Sequence, residues 1–200
     1  MRKYPLEFEK QKPMLFYPKR REQYSGDILE IGPGRGDLLL SLAAEQPDKK
    51  FVAIELSRKR YSRLERKIEC RGIDNIDLIC GNARFALPRL LGDSSFEFAY
   101  VLFPDPWPKR RHKLHRLLSP DFFAEIARVV RPAGSIFAVT DVEQYAQDIL
   151  RSCSHVRQLE NSGYPYVEPD EIVAYRTTQF EQYARKGGSH IYYMRFAKSE

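Results

Sequence analysis

The chain has 200 residues, of which 42% are hydrophobic and 30% are charged, with 12 Tyr and 12 Phe. This length and composition suit one globular domain, and they exclude both an intrinsically disordered chain and a membrane protein. The formal net charge of +6 favours a polyanionic partner, with nucleic acid as the first candidate.

The first 25 residues form a basic N-terminal arm, with seven Lys or Arg interleaved with aromatic residues. Such a segment is compatible with a solvated tail and with an arm that contacts nucleic acid. It lacks the apolar run of a signal peptide, and no later stretch is long enough to cross a bilayer, so we expect a cytoplasmic protein without membrane contacts. The three cysteines lack zinc-ligand spacing, which predicts reduced thiols and no metal site.

Residues 26–200 are expected to form one domain, because short apolar runs alternate with segments of helical period, as in a parallel sheet wrapped by helices. Predicted strands cover 27–31, 51–55, 76–80, 96–103 and 134–140, and predicted helices cover 38–45, 57–71 and 119–131. The last helix has Ser119 as N-cap, Pro120 at its first position and Pro132 at its close. Residues 170–188 resemble a further helix, and residues 189–196 a final strand.

Three glycines separate the first strand from the first helix, at Gly32, Gly34 and Gly36. Such a loop lets the backbone approach a nucleotide-type cofactor and directs the helix amides toward it. A dinucleotide fingerprint would need a third glycine where Asp37 stands, which weakens a dehydrogenase interpretation. Glu30 adds a carboxylate that would repel a pyrophosphate but suit the positive charges of S-adenosylmethionine.

Two further positions follow the same edge of the predicted sheet. Glu55 ends the second strand, where a carboxylate can accept both hydrogen bonds of a ribose diol. Asn82 and Ala83 follow the third strand, where an amide side chain and the backbone can contact the edge of an adenine. The carboxyl ends of the strands are where open α/β sheets bind ligands, so these residues are predicted to bind the cofactor.

The stretch from Phe103 to Leu118, FPDPWPKRRHKLHRLL, places three prolines and the chain's single tryptophan around Asp105. The prolines restrict the backbone on both sides of this carboxylate. The following segment, Lys109–Arg116, contains five Lys or Arg, two His and no acid, which favours phosphate binding over a solvated charged face. Trp107 could stack on a base or anchor the loop, and the sequence leaves both open.

The motifs LEIGPGRG, AIEL, GNA, FPDPWPKRRHKLHRL, VTD and TTQFE together resemble the bacterial single-subunit tRNA (guanine-N7)-methyltransferases, from Asp27 to about Phe196. The resemblance implies a Rossmann-like α/β class I methyltransferase fold, with a mostly parallel sheet, helices on both faces and an antiparallel final strand. It implies methyl transfer from S-adenosylmethionine to guanine N7 in the variable loop of tRNA, without an obligatory protein subunit.

The same resemblance implies roles for individual residues. Asp105 would be the catalytic residue and would also contact the cofactor. The expected substrate-binding residues are Lys109, Arg110, Arg111, His112, Asp141, Thr178 and Glu181.

Two other functions stay open at this point. A methyltransferase acting on a base amino group would use an Asn/Asp-Pro-Pro-aromatic motif, and Trp107 stands where the second proline belongs. A methyltransferase for another RNA, or a noncatalytic RNA-binding protein of the same fold, is the other alternative, since a fold by itself does not define a substrate.

Overall fold

A computed structural model describes residues 23–163 and 165–199. Most of the basic N-terminal arm therefore lies outside the described residues, as does the side chain of Arg110. Among the described helices, none combines the length and apolar character needed to cross a membrane.

One sheet organises the described residues. Its strands are β1 (Ile28–Ile31), β2 (Phe51–Glu55), β3 (Ile76–Cys80), β4 (Phe96–Leu102), β5 (Val130–Thr140), β6 (Leu159–Asn161) and β7 (Tyr192–Lys198). Their order across the sheet is β3-β2-β1-β4-β5-β7-β6. Strands β1 to β5 pair in parallel, and β7 pairs antiparallel with β5 and β6, so the predicted antiparallel final strand is confirmed.

Helices connect the strands and cover the sheet. They are α1 (Asp37–Glu45), α2 (Arg58–Cys70), α3 (Ala83–Leu90), α4 (Pro120–Val129), α5 (Glu143–Cys153) and α6 (Gln179–Lys186), with short 3-10 turns at Arg110–His115 and Pro169–Glu171. Every residue of β1 and β2 is buried, as expected for parallel strands packed on both faces. Two apolar clusters of buried residues result, one centred on α3, α4 and α5, the other on α1 and α2.

The topology positions the candidate site. Chain order reverses between β1 and β4, because β1 has β2 on one side and β4 on the other. The loops after these strands diverge at this point and leave a crevice beyond the carboxyl ends of the strands, which is where open α/β sheets bind ligands.

Most predicted elements are confirmed within a few residues. All five early strands are present, and Ser119 caps α4 by accepting a hydrogen bond from the amide of Phe122. The helix ends at Val129 rather than at Pro132, because Val130 takes extended backbone angles and begins β5. The predictions left out α3, α5 and β6.

The expected helix over 170–188 is wrong in its first half. Residues 172–178 are not helical, and α6 begins only at Gln179. Ala174 has a φ of 55°, which a right-handed helix does not allow. Thr178 then caps α6 with its hydroxyl, which accepts a hydrogen bond from the amide of Glu181 at 3.2 Å, so a helix start lies inside the apparently continuous helical pattern.

Candidate active site

The glycine loop joins β1 to α1 in a conformation that requires its glycines. Gly32, Gly34 and Gly36 have φ values of 76°, 57° and 79°, in the left-handed region that disfavours a side chain. A Cβ on Gly36 would lie 2.4 Å from a methyl carbon of Leu64, whereas a Cβ on Gly32 would meet nothing within 4 Å. Gly36 therefore lets α1 pack against α2, and Gly32 leaves the space beside the loop open.

That space is a cleft of about 400 Å³, a size typical of sites for small ligands. It is bounded by the ends of β1, β2, β3 and β4 and by the segment that follows β4. The lining residues are Ile31, Gly32, Ile54, Glu55, Leu56, Arg60, Gly81, Asn82, Ala83, Arg84, Leu102, Phe103, Pro104, Asp105, Trp107, His115 and Leu117.

Glu55 lies in the wall of this cleft and is almost fully buried. One carboxylate oxygen accepts a hydrogen bond from the amide of Gly34 at 3.0 Å, and the other accepts from the amide of Ser57 at 2.7 Å. Each carboxylate oxygen has two lone pairs, so acceptor capacity remains for a ligand hydroxyl. The carboxylate also ties the glycine loop to the end of β2.

Glu30 is buried beneath the glycine loop and is not among the residues that line the cleft. One of its carboxyl oxygens, Oε2, has no hydrogen-bond partner among the described residues. Burial, together with the nearby charges of Asp37 and Glu55, raises the pKa of Glu30 from 4.5 to about 8. A cation bound at the loop would favour the charged form of this carboxyl group, so Glu30 suits a positively charged ligand.

Asn82 and Ala83 stand where β3 ends and α3 begins. The side-chain oxygen of Asn82 accepts a hydrogen bond from the amide of Arg84 at 3.0 Å, which caps α3. Asn82 is only half-buried and lines the cleft beside Ala83. Its amide nitrogen is thus oriented by the cap at a position where a ligand can be contacted.

The segment after β4 forms the opposite wall, and it holds Asp105 exposed to solvent. Phe103 and Trp107, two residues to either side, have φ values of 48° and 43°, which are uncommon for residues with large side chains. The buried guanidinium of Arg116 donates to the carbonyl oxygen of Pro106 at 2.7 Å. Prolines, strained turns and this hydrogen bond together hold the Asp105 carboxylate at the cleft.

Trp107 takes neither of the two roles considered from the sequence in full. Its ring lies 5.1 Å from the ring of His115 and 5.8 Å from that of His112, between ring centroids. The side chain is 37% exposed, so it is not a core anchor. It organises the two histidines and lines the cleft.

The basic segment Lys109–Arg116 divides into two parts. Arg116 is buried and pairs with Asp148 of α5, and the ammonium of Lys113 lies 3.2 Å from the same carboxylate. Lys109 and Arg111 are exposed. The second half of the segment therefore anchors the loop to α5, while its first half presents charge to solvent.

The remaining predicted substrate residues lie outside the lining of the cleft. Asp141 is half-buried and follows β5 directly, beside the carboxyl end of β4. Thr178 caps α6, and Glu181 is 1% exposed. Both carboxylate oxygens of Glu181 accept hydrogen bonds from tyrosine hydroxyls, those of Tyr175 and Tyr193.

Sequence reasoning missed Arg84, which lines the cleft beside Ala83. Its guanidinium donates to the carbonyl oxygens of Arg116 and Leu117 and to the hydroxyl of Ser119, at 3.3 Å for the hydroxyl. These bonds join the start of α3 to the segment that carries Asp105. No local sequence pattern could have indicated this role, because the partners are more than 30 residues away in the chain.

Known proteins resemble this chain in sequence along most of its length. A family model described as "Putative methyltransferase" matches residues 25–194. The chain is 36% identical over 173 residues to the tRNA (guanine-N(7)-)-methyltransferase of Nitrosomonas eutropha, which covers 86% of this chain and 76% of the relative. It is 34% identical over 175 residues to the protein of the same name from Nitrosococcus oceani, with 86% and 71% covered.

Solved structures support the fold. A 16S rRNA methyltransferase, KamB, superposes with a TM-score of 0.64 over 100% of this chain and 96% of its own, at 18% identity. A methyltransferase from Pyrococcus furiosus gives a TM-score of 0.61 over 90% and 78%, at 15% identity. The predicted class I methyltransferase fold is thereby confirmed, and the sequence matches show that this chain belongs to the tRNA (guanine-N7)-methyltransferase family.

Proposed function

We propose that the protein transfers a methyl group from S-adenosylmethionine to N7 of a guanine in the variable loop of tRNA, and that one kind of chain suffices. The observation that carries the proposal is a single cleft with Gly32, Glu55 and Asn82 on one side and the carboxylate of Asp105 on the other. The names of the two bacterial relatives support tRNA as the substrate and N7 of guanine as the acceptor.

The residues around the glycine loop fit S-adenosylmethionine better than a dinucleotide. Glu30 and Glu55 place two carboxyl groups beside the loop, where they would repel a pyrophosphate and attract a cation. The unpartnered oxygen of Glu30 suits an ammonium group as a ligand or a water that bridges to one. Glu55 would accept from the ribose hydroxyls, and Asn82 and Ala83 would contact the adenine.

When bound, the cofactor supplies a methyl group carried by a positively charged sulfur. Guanine N7 has an in-plane lone pair and no proton, so none of the residues at the cleft needs to act as a general base. Positive charge develops on the purine as the methyl group is transferred, and the carboxylate of Asp105 stabilises it there. Because the loop is already ordered, little reorganisation accompanies the reaction.

The exposed half of the basic segment lies next to this carboxylate. Lys109 and Arg111 would contact the phosphates that flank the target nucleotide, which positions the RNA without reading its sequence. His112, held against Trp107, would contact the same backbone. Asp141, Thr178 and Glu181 stay predictions for substrate contacts, and the burial of Glu181 requires any effect of that residue to pass through its neighbours.

The function is tested by incubating the purified chain with radiolabelled S-adenosylmethionine and unmodified tRNA, followed by identification of the labelled nucleoside. We expect 7-methylguanosine, and no product when the target guanine is replaced by 7-deazaguanine. A label on an exocyclic amino group would assign the alternative methyltransferase reaction. Tight tRNA binding without any methyl transfer would leave an RNA-binding protein.

Asp105→Asn and Asp105→Ala should slow methyl transfer by about 10²- to 10³-fold, since each removes one preorganised electrostatic group. The measurement is the single-turnover rate at saturating cofactor and tRNA, which separates the chemical step from weaker binding. Asp48→Asn is the matched control, because Asp48 is also an exposed loop aspartate but precedes β2, at the opposite edge of the sheet. Wild-type rates for both Asp105 variants would contradict the assigned role.

A further inference from the structure

The first turn of α6 holds an aromatic ring in solvent between two anchored neighbours. The amide of Gln179 donates to a carboxylate oxygen of Asp37 at 2.9 Å, next to the glycine loop. Glu181 is 1% exposed, whereas Phe180 is 53% exposed. This arrangement is the reverse of what burial of apolar surface favours, since the carboxylate is inside and the phenyl ring is outside.

The inward carboxylate is fully occupied by the protein itself. Glu181 accepts hydrogen bonds from the hydroxyls of Tyr175 and Tyr193, and from Nε of Arg185 at 2.9 Å. Thr178 accepts from the amide of Glu181. Both residues therefore fix the start of α6 in place, and the backbone of Phe180 is held on either side.

The ring of Phe180 lies against the wall of the cleft. Its centroid is 4.7 Å from that of Phe103, with the two ring planes inclined by 46°. Phe103 lines the cleft two residues before Asp105 and has a strained φ of 48°. Phe180 thus extends the wall that carries Asp105 outward, and about half of its surface is free for a ligand.

We propose that Phe180 is the surface on which the target guanine stacks during methyl transfer, a proposal that rests on the function proposed above. Unpaired RNA bases are commonly recognised by stacking on aromatic side chains, and a base that reacts outside a helix needs a partner for the face it exposes. Formation of the N7–CH₃ bond, with loss of the sulfur–CH₃ bond, leaves the purine positively charged. An aromatic face attracts a cation, so the contact strengthens as the reaction proceeds.

The inference divides the work within the segment from Thr178 to Glu181. Thr178 and Glu181 act as positioning residues that touch other protein groups, and Phe180 touches the substrate. The sequence prediction assigned substrate contacts to the two polar residues and passed over the aromatic residue between them.

Three substitutions at one position separate stacking from packing. Phe180→Ala removes the ring, Phe180→Leu keeps apolar volume against Phe103 without an aromatic face, and Phe180→Tyr keeps the face. The single-turnover rate at saturating cofactor and subsaturating tRNA should fall by about 5- to 100-fold in the Ala and Leu variants, the range for loss of one stacked base. The Tyr variant should stay within about 2-fold of wild type. Restoration of the rate by Leu would assign Phe180 a packing role and overturn the proposal.

A second readout depends on the charge of the methylated base. The ratio of Kd for unmodified tRNA to Kd for tRNA carrying 7-methylguanosine at the target site should fall in the Ala and Leu variants and persist in the Tyr variant, because only a cationic purine gains the cation–π attraction. Equal ratios in all four proteins would contradict stacking of the target base.

Two controls make the result specific. Tyr183→Ala removes an aromatic ring from the same helix that is 61% exposed, and it should leave the rate and the ratio unchanged. The wild-type protein tests the proposed function separately: if it forms no 7-methylguanosine, the proposed function fails, whereas wild-type activity with an unaffected Phe180→Ala variant defeats only the stacking proposal.

Discussion

At the scale of single residues, Glu30 is the group whose chemistry the fold changes most clearly. Its carboxyl group is buried beneath the glycine loop, and burial, with the charges of Asp37 and Glu55, raises its pKa from 4.5 to about 8. In the unfolded chain the same group loses its proton at ordinary acidic pH. Between these two pKa values the folded state binds more protons than the unfolded state, so the free energy of unfolding decreases as pH rises from about 4.5 to about 8.

Glu30→Gln should abolish this part of the pH dependence, because a neutral amide cannot ionise. We expect the ligand-free variant to be as stable as wild type at pH 5 and more stable at pH 8, as measured by urea unfolding across that range. Glu160→Gln, which removes an exposed carboxylate from β6, should keep the wild-type dependence. Parallel curves for wild type and Glu30→Gln would show that Glu30 does not ionise in this window.

At the scale of elements, the basic segment Lys109–Arg116 combines two tasks that the sequence presents as one charge run. Arg116 is 6% exposed, lies over the ring of Tyr145 at 4.8 Å and pairs with Asp148. The loop that carries Asp105 is thereby fastened to α5. Arg111 is exposed and is left to meet the RNA backbone.

Arg111→Ala and Arg116→Ala should therefore fail in different ways. Arg111→Ala should flatten the slope of log affinity for tRNA against log salt by about 0.7–0.9, the contribution of one phosphate contact, and change stability by less than about 0.5 kcal/mol. Arg116→Ala should lower the free energy of unfolding by about 2–4 kcal/mol, because it leaves the half-buried Asp148 with weaker compensation. Salt titrations of tRNA binding and urea unfolding measure the two effects. A lower salt slope without lost stability in Arg116→Ala would place that residue on the RNA instead.

At the scale of the whole molecule, the cofactor is expected to act as a structural ligand of the folded chain. The cleft joins the ends of β1, β2 and β3 to the segment after β4, so a bound molecule contacts parts of the chain that unfolding separates. A ligand at 100 times its Kd adds about 2.7 kcal/mol, which corresponds to a rise in Tm of about 5–10 °C for a chain of this size. S-adenosylmethionine should produce this rise without RNA, and NAD should not. Stabilisation by NAD alone would reassign the cofactor.

Local sequence patterns were sufficient for much of this architecture. Strands β2 and β3 match their predicted bounds because buried parallel strands are short, continuous apolar runs. The N-cap of α4 was predictable because Ser119 and Pro120 act through their own backbone. The helix over 170–188 was predicted too long, because its break depends on Tyr100, whose hydroxyl donates to the carbonyl oxygen of Val173, 73 residues away in the chain.

The sequence by itself determined the family, the parallel sheet and the set of groups at the cleft, because glycine spacing, apolar runs and the stretch around Asp105 are local features. Only the tertiary structure decided how those groups divide their roles. It placed Glu181 inside and Phe180 outside, and it split the basic segment between Asp148 and solvent. The physical reason is that burial and partner geometry belong to contacts between distant segments, and a residue's chemistry depends on those contacts as much as on its type.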